Sequence, residues 1–116
     1  MNELKFRAHI WDSFVGVRAQ INELALIYLK HGDKAHRKRE IQLLAGACVW
    51  IARTHQLNSV HCIGKDHVKS FWRAHRELDH SLITAYWHAF CVFYELMNRS
   101  GEPPRPRLSQ PLDETR

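Results

Sequence analysis

Cationic side chains are concentrated where the chain could bind phosphate. The cluster follows Asp33 and consists of Lys34, His36, Arg37, Lys38 and Arg39. Because Asp33 is a favourable N-cap residue, these side chains are predicted to occupy the first turns of a helix. The helix dipole already makes that end positive, so added cations cost stability unless an anion binds there. The pattern therefore favours a phosphate site, with a solvated basic turn as the alternative.

A second cationic stripe is predicted on the next helix. It consists of Lys65, Lys69, Arg73 and Arg76. This spacing places the four side chains on one helix face, whereas Val68, Phe71 and Trp72 fall on the opposite, apolar face. The cationic face either binds phosphate or is an ordinary hydrated surface.

The excess positive charge of the chain lies wholly within residues 33–76. This range carries nine Lys and Arg residues against three Asp and Glu residues, a net charge of +6, and the remainder carries −1. Such asymmetry is typical of a surface that binds a polyanion. Because phosphate contacts carry little sequence information, we expect binding to double-stranded DNA with weak sequence preference.

Other chemistry finds no support in the sequence. His61, Cys62 and His67 are of zinc-ligand type, but no second pair stands at the spacing that zinc sites use, so no metal site is predicted. The sequence contains no P-loop, HExxH, GxSxG or dinucleotide-binding motif. We therefore predict neither enzymatic activity nor a cofactor.

Helical patterns position these residues. Residues 3–30 show helical apolar spacing, which Gly16 either interrupts or leaves intact, so one long helix or two short ones are expected. His31 and Gly32 are predicted to end this region. Later helices are predicted over residues 33–55, over residues 65–75, and from a cap at Asp79 or Ser81 to about residue 99. No strand pattern occurs, so the predicted fold is an all-α bundle of four or five helices.

The fourth predicted helix is apolar on nearly every side. From Leu82 to Met97 only three residues, a threonine, a histidine and a glutamate, interrupt the apolar sequence. A helix that is apolar all round is buried all round, and Phe90 and Phe93 are predicted to anchor the core. Its outer side is expected to be covered by the N-terminal helix or by another subunit.

Length and composition indicate one domain. The 116 residues, 45% hydrophobic and 25% charged, can form a single core, predicted over residues 1–99. All four prolines lie in residues 100–116, which are predicted to be a disordered tail containing Pro and Arg. No apolar run could span a bilayer, and the early charges argue against a signal peptide. With Cys48, Cys62 and Cys91 in apolar sequence, we expect a cytoplasmic protein without membrane contact.

The order of residues between Ile63 and Pro106 is distinctive. The run from Ile63 through Val68 opens a short helix, and the run from Leu78 through Tyr94 forms an apolar helix closed by an aromatic pair. Over about residues 33–106 this order resembles the core-binding, SAM-like domain of tyrosine recombinases, or phage integrases. Cys91 stands where that family often carries Arg. The resemblance implies a SAM-like bundle that holds DNA, here with an extra N-terminal helix, while a separate C-terminal domain performs catalysis.

The sequence supports three interpretations of function. The first is a non-catalytic DNA-binding module that acts in site-specific recombination or in regulation of a mobile element. The second is a helical interaction or dimerisation protein that has lost DNA binding and pairs with itself, or with a recombinase, through the fourth helix. The third is the N-terminal fragment of a longer integrase whose catalytic domain lies beyond Arg116.

Overall fold

The computed structural model describes residues 16–107 and Leu112. Within these residues the chain forms four α-helices and no strand, which confirms the predicted all-α class for this part of the chain. The helices are α1 (16–24), α2 (Lys34–His55), α3 (Lys65–Ala74) and α4 (His80–Leu96), and short 3-10 helices lie at Tyr28–Lys30 and Val60–Cys62. None of the helices described is both long enough and apolar enough to cross a membrane.

Side-chain caps set the start of two helices. The Asp33 carboxylate accepts a hydrogen bond from the backbone nitrogen of Ala35 at 3.1 Å, and the Asp79 carboxylate accepts one from that of Leu82 at 2.8 Å. Each cap satisfies an amide that has no partner within the first turn. Of the two predicted caps for α4, Asp79 and not Ser81 is therefore the one used.

Left-handed residues mark the ends of the longer elements. Gly32, with φ of 69°, turns the chain ahead of α2 at the predicted stop, but α1 itself ends earlier, at residue 24. Gln56, with φ of 56°, ends α2, and Asn98, with φ of 54°, follows α4. As a result α4 ends at Leu96, earlier than the predicted boundary near residue 99.

The N-terminal helical region is described only from residue 16 onward. Gly16 is helical, so it does not break the part of α1 that is described, and residues 3–15 lie outside the described residues. The side chain of Gln20 connects α1 to the loop after α2. Its Nε2 donates to Ser59 Oγ at 3.1 Å, and its Oε1 accepts from the backbone nitrogen of Val60 at 2.9 Å.

Aromatic rings hold the later helices together. The Trp50 ring lies 5.6 Å from that of Phe71 and 4.9 Å from that of His75, whereas His55 lies 4.8 Å from His67. Because later positions in α2 pair with earlier positions in α3, the two helices run antiparallel. The α4 helix packs on α2 and reaches α3 through aromatic side chains, with the Phe90 ring centroid 5.3 Å from that of Phe71.

The predicted core positions are confirmed. All of the following are buried: Ile41, Leu44, Ala45, Cys48 and Ala52 in α2, Val68, Phe71 and Trp72 in α3, and Phe90 and Phe93 in α4. Helical periodicity therefore identifies the inward faces of all three helices.

The outer side of α4 is contacted by the segment that follows it, a covering that the sequence did not predict. Pro103 is buried, and the Arg105 guanidinium carbon lies 4.9 Å from the centroid of the Trp87 ring. Residues 102–107 have no helix or strand, in agreement with their proline content, yet they pack against the domain. This differs from the disorder predicted from residue 100 onward. The remaining tail, apart from Leu112, lies outside the described residues.

Candidate nucleic-acid interface

A groove of about 480 Å³ lies between the second half of α3 and the segment after α4. Cations line both walls: Lys69 and Arg73 come from α3, Arg76 follows the end of α3 at Ala74, and Arg105 and Arg107 come from the segment. The floor is largely apolar and includes Trp72, Ile83, Pro104 and Pro106. No Asp or Glu is found among the described residues that line this basic groove. Its potential is therefore positive from two sides.

The structure brings three of the four predicted α3 cations together. Lys69, Arg73 and Arg76 line the basic groove, and Lys65, at the first turn of α3, is exposed but does not line it. All four side chains are exposed, and none forms a salt bridge with a carboxylate in the part of the chain that is described. Their charge is therefore not neutralised within this part of the protein.

The cations at the start of α2 have different environments. Lys34, Lys38 and Arg39 are exposed, whereas Arg37 is half-buried. Arg37 Nη1 donates to the carbonyl oxygen of Tyr28 at 2.8 Å, and its guanidinium carbon lies 4.3 Å from the centroid of the Tyr28 ring. Arg37 thus holds the first 3-10 helix against α2, which gives it a structural role inside the protein.

His36 belongs to the same structural contact. Glu40 is buried, with only 6% of its surface exposed, and its Oε1 accepts a hydrogen bond from the Tyr28 hydroxyl. His36 Nε2 lies 3.7 Å from the same oxygen. A buried carboxylate needs such partners, because an isolated charge is strongly disfavoured away from water. His36 therefore faces a carboxylate as well as solvent.

The backbone amides at the start of α2 are already hydrogen-bonded. Asp33 Oδ1 accepts from the backbone nitrogens of Ala35 and His36 at 3.1 and 3.3 Å. The carboxylate occupies the place that a phosphate would take at this helix end, and its charge repels a second anion. The geometry thus conflicts with phosphate binding by these amides, and Lys34 and Lys38 can contribute only through their side chains.

The cations at the start of α2 and the basic groove lie in different parts of the domain. Lys30 joins Lys34 and Lys38 around a shallow depression of about 380 Å³ near the start of α2. Arg39 precedes Trp50 by 11 residues, about 16 Å along the helix axis. The groove end of α3 packs at Trp50 through His75. The two predicted groups of cations therefore do not share one pocket.

Arg105 and Arg107 line the groove although they are not among the binding residues predicted from the sequence. Both alternate with proline in the run from Pro103 to Arg107, whose proline content by itself predicts only disorder. In extended backbone, alternate residues point the same way, so this alternation was the available indication of a basic edge. Lys30 was missed because it lies ahead of the helix that carries the cluster.

The predicted absence of a metal site concerns His61, Cys62 and His67. His67 Nδ1 accepts a hydrogen bond from the backbone nitrogen of Gly64 at 2.8 Å, and Cys62 is exposed nearby. Across residues 16–107 and Leu112, no group of three His, Cys, Asp or Glu side chains is arranged to hold a metal ion. Burial raises the pKa of the Cys48 thiol to about 12, although the Arg99 charge acts in the opposite direction. This thiol therefore stays protonated near neutral pH.

Comparison with known proteins finds no matching family model, no matching curated protein and no matching solved structure. The resemblance to integrase core-binding domains over about residues 33–106 therefore stays a prediction from the sequence. The fold of the described residues shows a small all-α domain of four helices.

Proposed function

We propose that this chain is a non-catalytic DNA-binding module that contacts the phosphate backbone through the basic groove. The observation that carries the proposal is the placement of Lys and Arg on both walls, with no carboxylate among the described lining residues. Exposed cations that face one another repel, so their convergence is best explained by an anion that binds between them. Arg and Lys are the side chains that make most contacts to DNA phosphates.

The shape of the groove favours backbone contact over insertion of bases. Its volume of about 480 Å³ is that of a small-ligand cleft, which admits part of one phosphate backbone and not a whole duplex. Proteins that bind single strands offer exposed aromatic rings on which bases stack. Trp72, the aromatic residue of the floor, is only 7% exposed, so it offers no such platform. Double-stranded DNA is therefore the proposed ligand.

The resemblance to integrase core-binding domains supports a role in site-specific recombination or in regulation of a mobile element. In that family the domain holds the duplex while another domain cleaves it. The proposed task of this chain is likewise to bind and position DNA, and the same task would hold within a longer integrase. We place the principal contact at Lys69, Arg73 and Arg76, with Lys65 and the exposed α2 cations as outer contacts.

The alternative of a dimerisation protein has a weaker basis once the structure is considered. It depended on an α4 helix that is apolar all round and needs a covering subunit. Arg105 of the same chain lies over the Trp87 ring of that helix, and the buried Pro103 lines a depression beside it. The apolar character of α4 is therefore explained in part without a partner.

Fluorescence anisotropy with a labelled duplex, titrated at several salt concentrations, tests the proposal. If five groove cations contact phosphates, log affinity should fall against log salt with a slope of about −4.5, since each neutralised phosphate contributes about −0.9. Replacing Lys69, Arg73 and Arg76 by Gln should make the slope shallower by about 3 and weaken binding to all sequences alike.

The matched control replaces Lys34, Lys38 and Arg39 by Gln, which removes the same charge from the other cationic surface. A smaller loss for this control than for the groove variant supports the groove as the principal site. Equal losses would assign binding to general charge. Absence of duplex binding by the unaltered protein at about 50 mM salt would exclude DNA binding as its function.

A further inference from the structure

One cation of the basic groove already forms an ion pair with a carboxylate of the same chain. Arg105 Nε donates to Glu102 Oε2 at 3.3 Å, and Arg105 Nη2 donates to both oxygens of Glu102 at 3.2 and 3.3 Å. This fork is how a guanidinium holds a carboxylate or a phosphate. Glu102 therefore provides the kind of contact that a bound anion would make at Arg105.

Glu102 reaches Arg105 from outside the groove. Arg105 lines the groove, and Glu102 lines a neighbouring depression that includes Trp87 and Pro103. The guanidinium itself lies over the Trp87 ring, with 4.9 Å between its central carbon and the ring centroid. The contact with Trp87 fixes the position of Arg105. A bound anion can therefore replace Glu102 while the Arg105 side chain stays on the groove wall.

The ion pair is easily displaced. The Glu102 and Arg105 side chains are 64% and 46% exposed, and exposed pairs of this kind contribute little to stability because water and salt screen them. A DNA strand that reaches Arg105 also reaches Lys69, Arg73 and Arg76 on the opposite wall. Several new phosphate contacts thus replace one weak internal contact.

We propose that Glu102 is a tethered competitor that lowers the affinity of the groove for any anion that takes up Arg105, so that tight binding requires a ligand that also contacts the cations of the opposite wall. This inference rests on the proposed function of the groove. A peptide carboxylate offers Arg105 the same group that Glu102 already supplies at high effective concentration. It must also order flexible side chains, whereas a duplex presents its phosphates at fixed spacing and releases condensed counterions.

The test compares a labelled duplex with labelled poly-glutamate as ligands of the full chain and of E102Q. The exposed Glu102 side chain can be replaced by Gln without loss of packing. E102Q should bind duplex about three- to fivefold more tightly, the range that corresponds to loss of an exposed ion pair. Poly-glutamate affinity should rise by a similar or smaller factor, because displacement of Glu102 costs the same free energy whichever anion takes its place at Arg105. The matched control is E23Q, which makes the same charge change at an exposed position of α1. It should alter both affinities by less than about twofold.

A double-mutant cycle separates a specific role of Glu102 from its general negative charge. In the R105Q background, E102Q should have little effect, because the contact through which Glu102 acts is gone. An equal gain with and without Arg105 would overturn the inference. So would unchanged affinities for both ligands in E102Q while the unaltered chain binds duplex, an outcome that leaves the proposed function standing. Failure of the unaltered chain to bind duplex would instead remove the proposed function.

Discussion

The indole nitrogen of Trp72 donates a hydrogen bond to the carbonyl oxygen of Pro104 at 2.8 Å. The bond joins α3 to the extended segment after α4, 32 residues later in the chain. Because Trp72 is buried, an indole N–H without this partner would incur the cost of an unsatisfied polar group. This contact therefore sets the separation between the two cationic walls of the basic groove.

Trp72→Phe should loosen the segment while it retains an aromatic ring in the core. We expect a loss of about 1 to 3 kcal/mol in the free energy of unfolding, from the missing hydrogen bond and the smaller ring. Trypsin cleavage after Arg107 should become faster and duplex binding weaker. Trp50→Phe is the control, since it reduces a core ring that does not hold Pro104. Unchanged cleavage and unchanged affinity in the Trp72 variant would contradict the assigned role.

Arg37 and Lys38 are neighbours with the same charge but different expected contributions to stability. Arg37→Ala removes the contacts with the Tyr28 carbonyl and ring, so we expect a loss of about 1 to 2 kcal/mol. Lys38→Ala affects an exposed side chain and should change stability by less than about 0.5 kcal/mol. Urea unfolding measures both variants. Equal effects would show that the Tyr28 contact adds nothing to stability.

Phe90 is the expected anchor between α4 and α3. It is fully buried and lies against Phe71 and Trp72, so Phe90→Ala should cost about 3 to 5 kcal/mol through lost burial and the resulting cavity. Leu26→Ala provides a control, because Leu26 is 60% exposed and should tolerate truncation with a loss below about 0.5 kcal/mol. An almost unchanged melting temperature for Phe90→Ala would show that this face of α4 does not belong to the core.

Two cysteines should differ sharply in reactivity toward a disulfide reagent. Cys62 is exposed and should react in the native protein, whereas Cys48 is buried, with a thiol pKa of about 12, and should react only on unfolding. Cys62→Ser should therefore abolish the fast phase, and Cys48→Ala should leave it unchanged. Fast labelling that persists in Cys62→Ser and disappears in Cys48→Ala would contradict the burial of Cys48.

The same thiol should make stability depend on alkaline pH. Its pKa rises from the ordinary value of 9.0 to about 12 in the folded protein, so the protonated thiol is favoured in the native state. The stabilisation is fully present below about pH 9 and is lost as the pH rises toward 12. The free energy of unfolding should therefore decline more steeply over this range in the unaltered chain than in Cys48→Ala. Parallel profiles would refute the linkage.

Local chemistry explains what could be predicted from the sequence. Asp33 and Asp79 cap their helices through contacts within three residues, and the buried faces follow from the 3.6-residue period. The cationic stripe of α3 has the same origin, since Lys65, Lys69 and Arg73 recur every four residues along a ten-residue helix. Such features depend only on residues close in sequence.

Features that join distant parts of the chain could not be predicted in this way. Arg37 has the same sequence character as Lys38, and only the position of Tyr28 makes it structural. Arg99 donates to the carbonyl oxygens of Val60 and Ile63, contacts that span 39 and 36 residues. The second wall of the groove belongs to this class, because no periodicity indicates where an extended Pro-rich segment packs.

Docking of residues 102–107 and binding of an anion across the groove are thermodynamically linked. A ligand that touches both walls favours the docked segment, and the docked segment raises the affinity for that ligand by the same factor. Protection of Arg107 from protease should therefore increase as ligand is added. Conversely, any event that draws the segment away from Trp72 must lower the affinity for the ligand by that factor, so this short stretch of chain can regulate binding at α3.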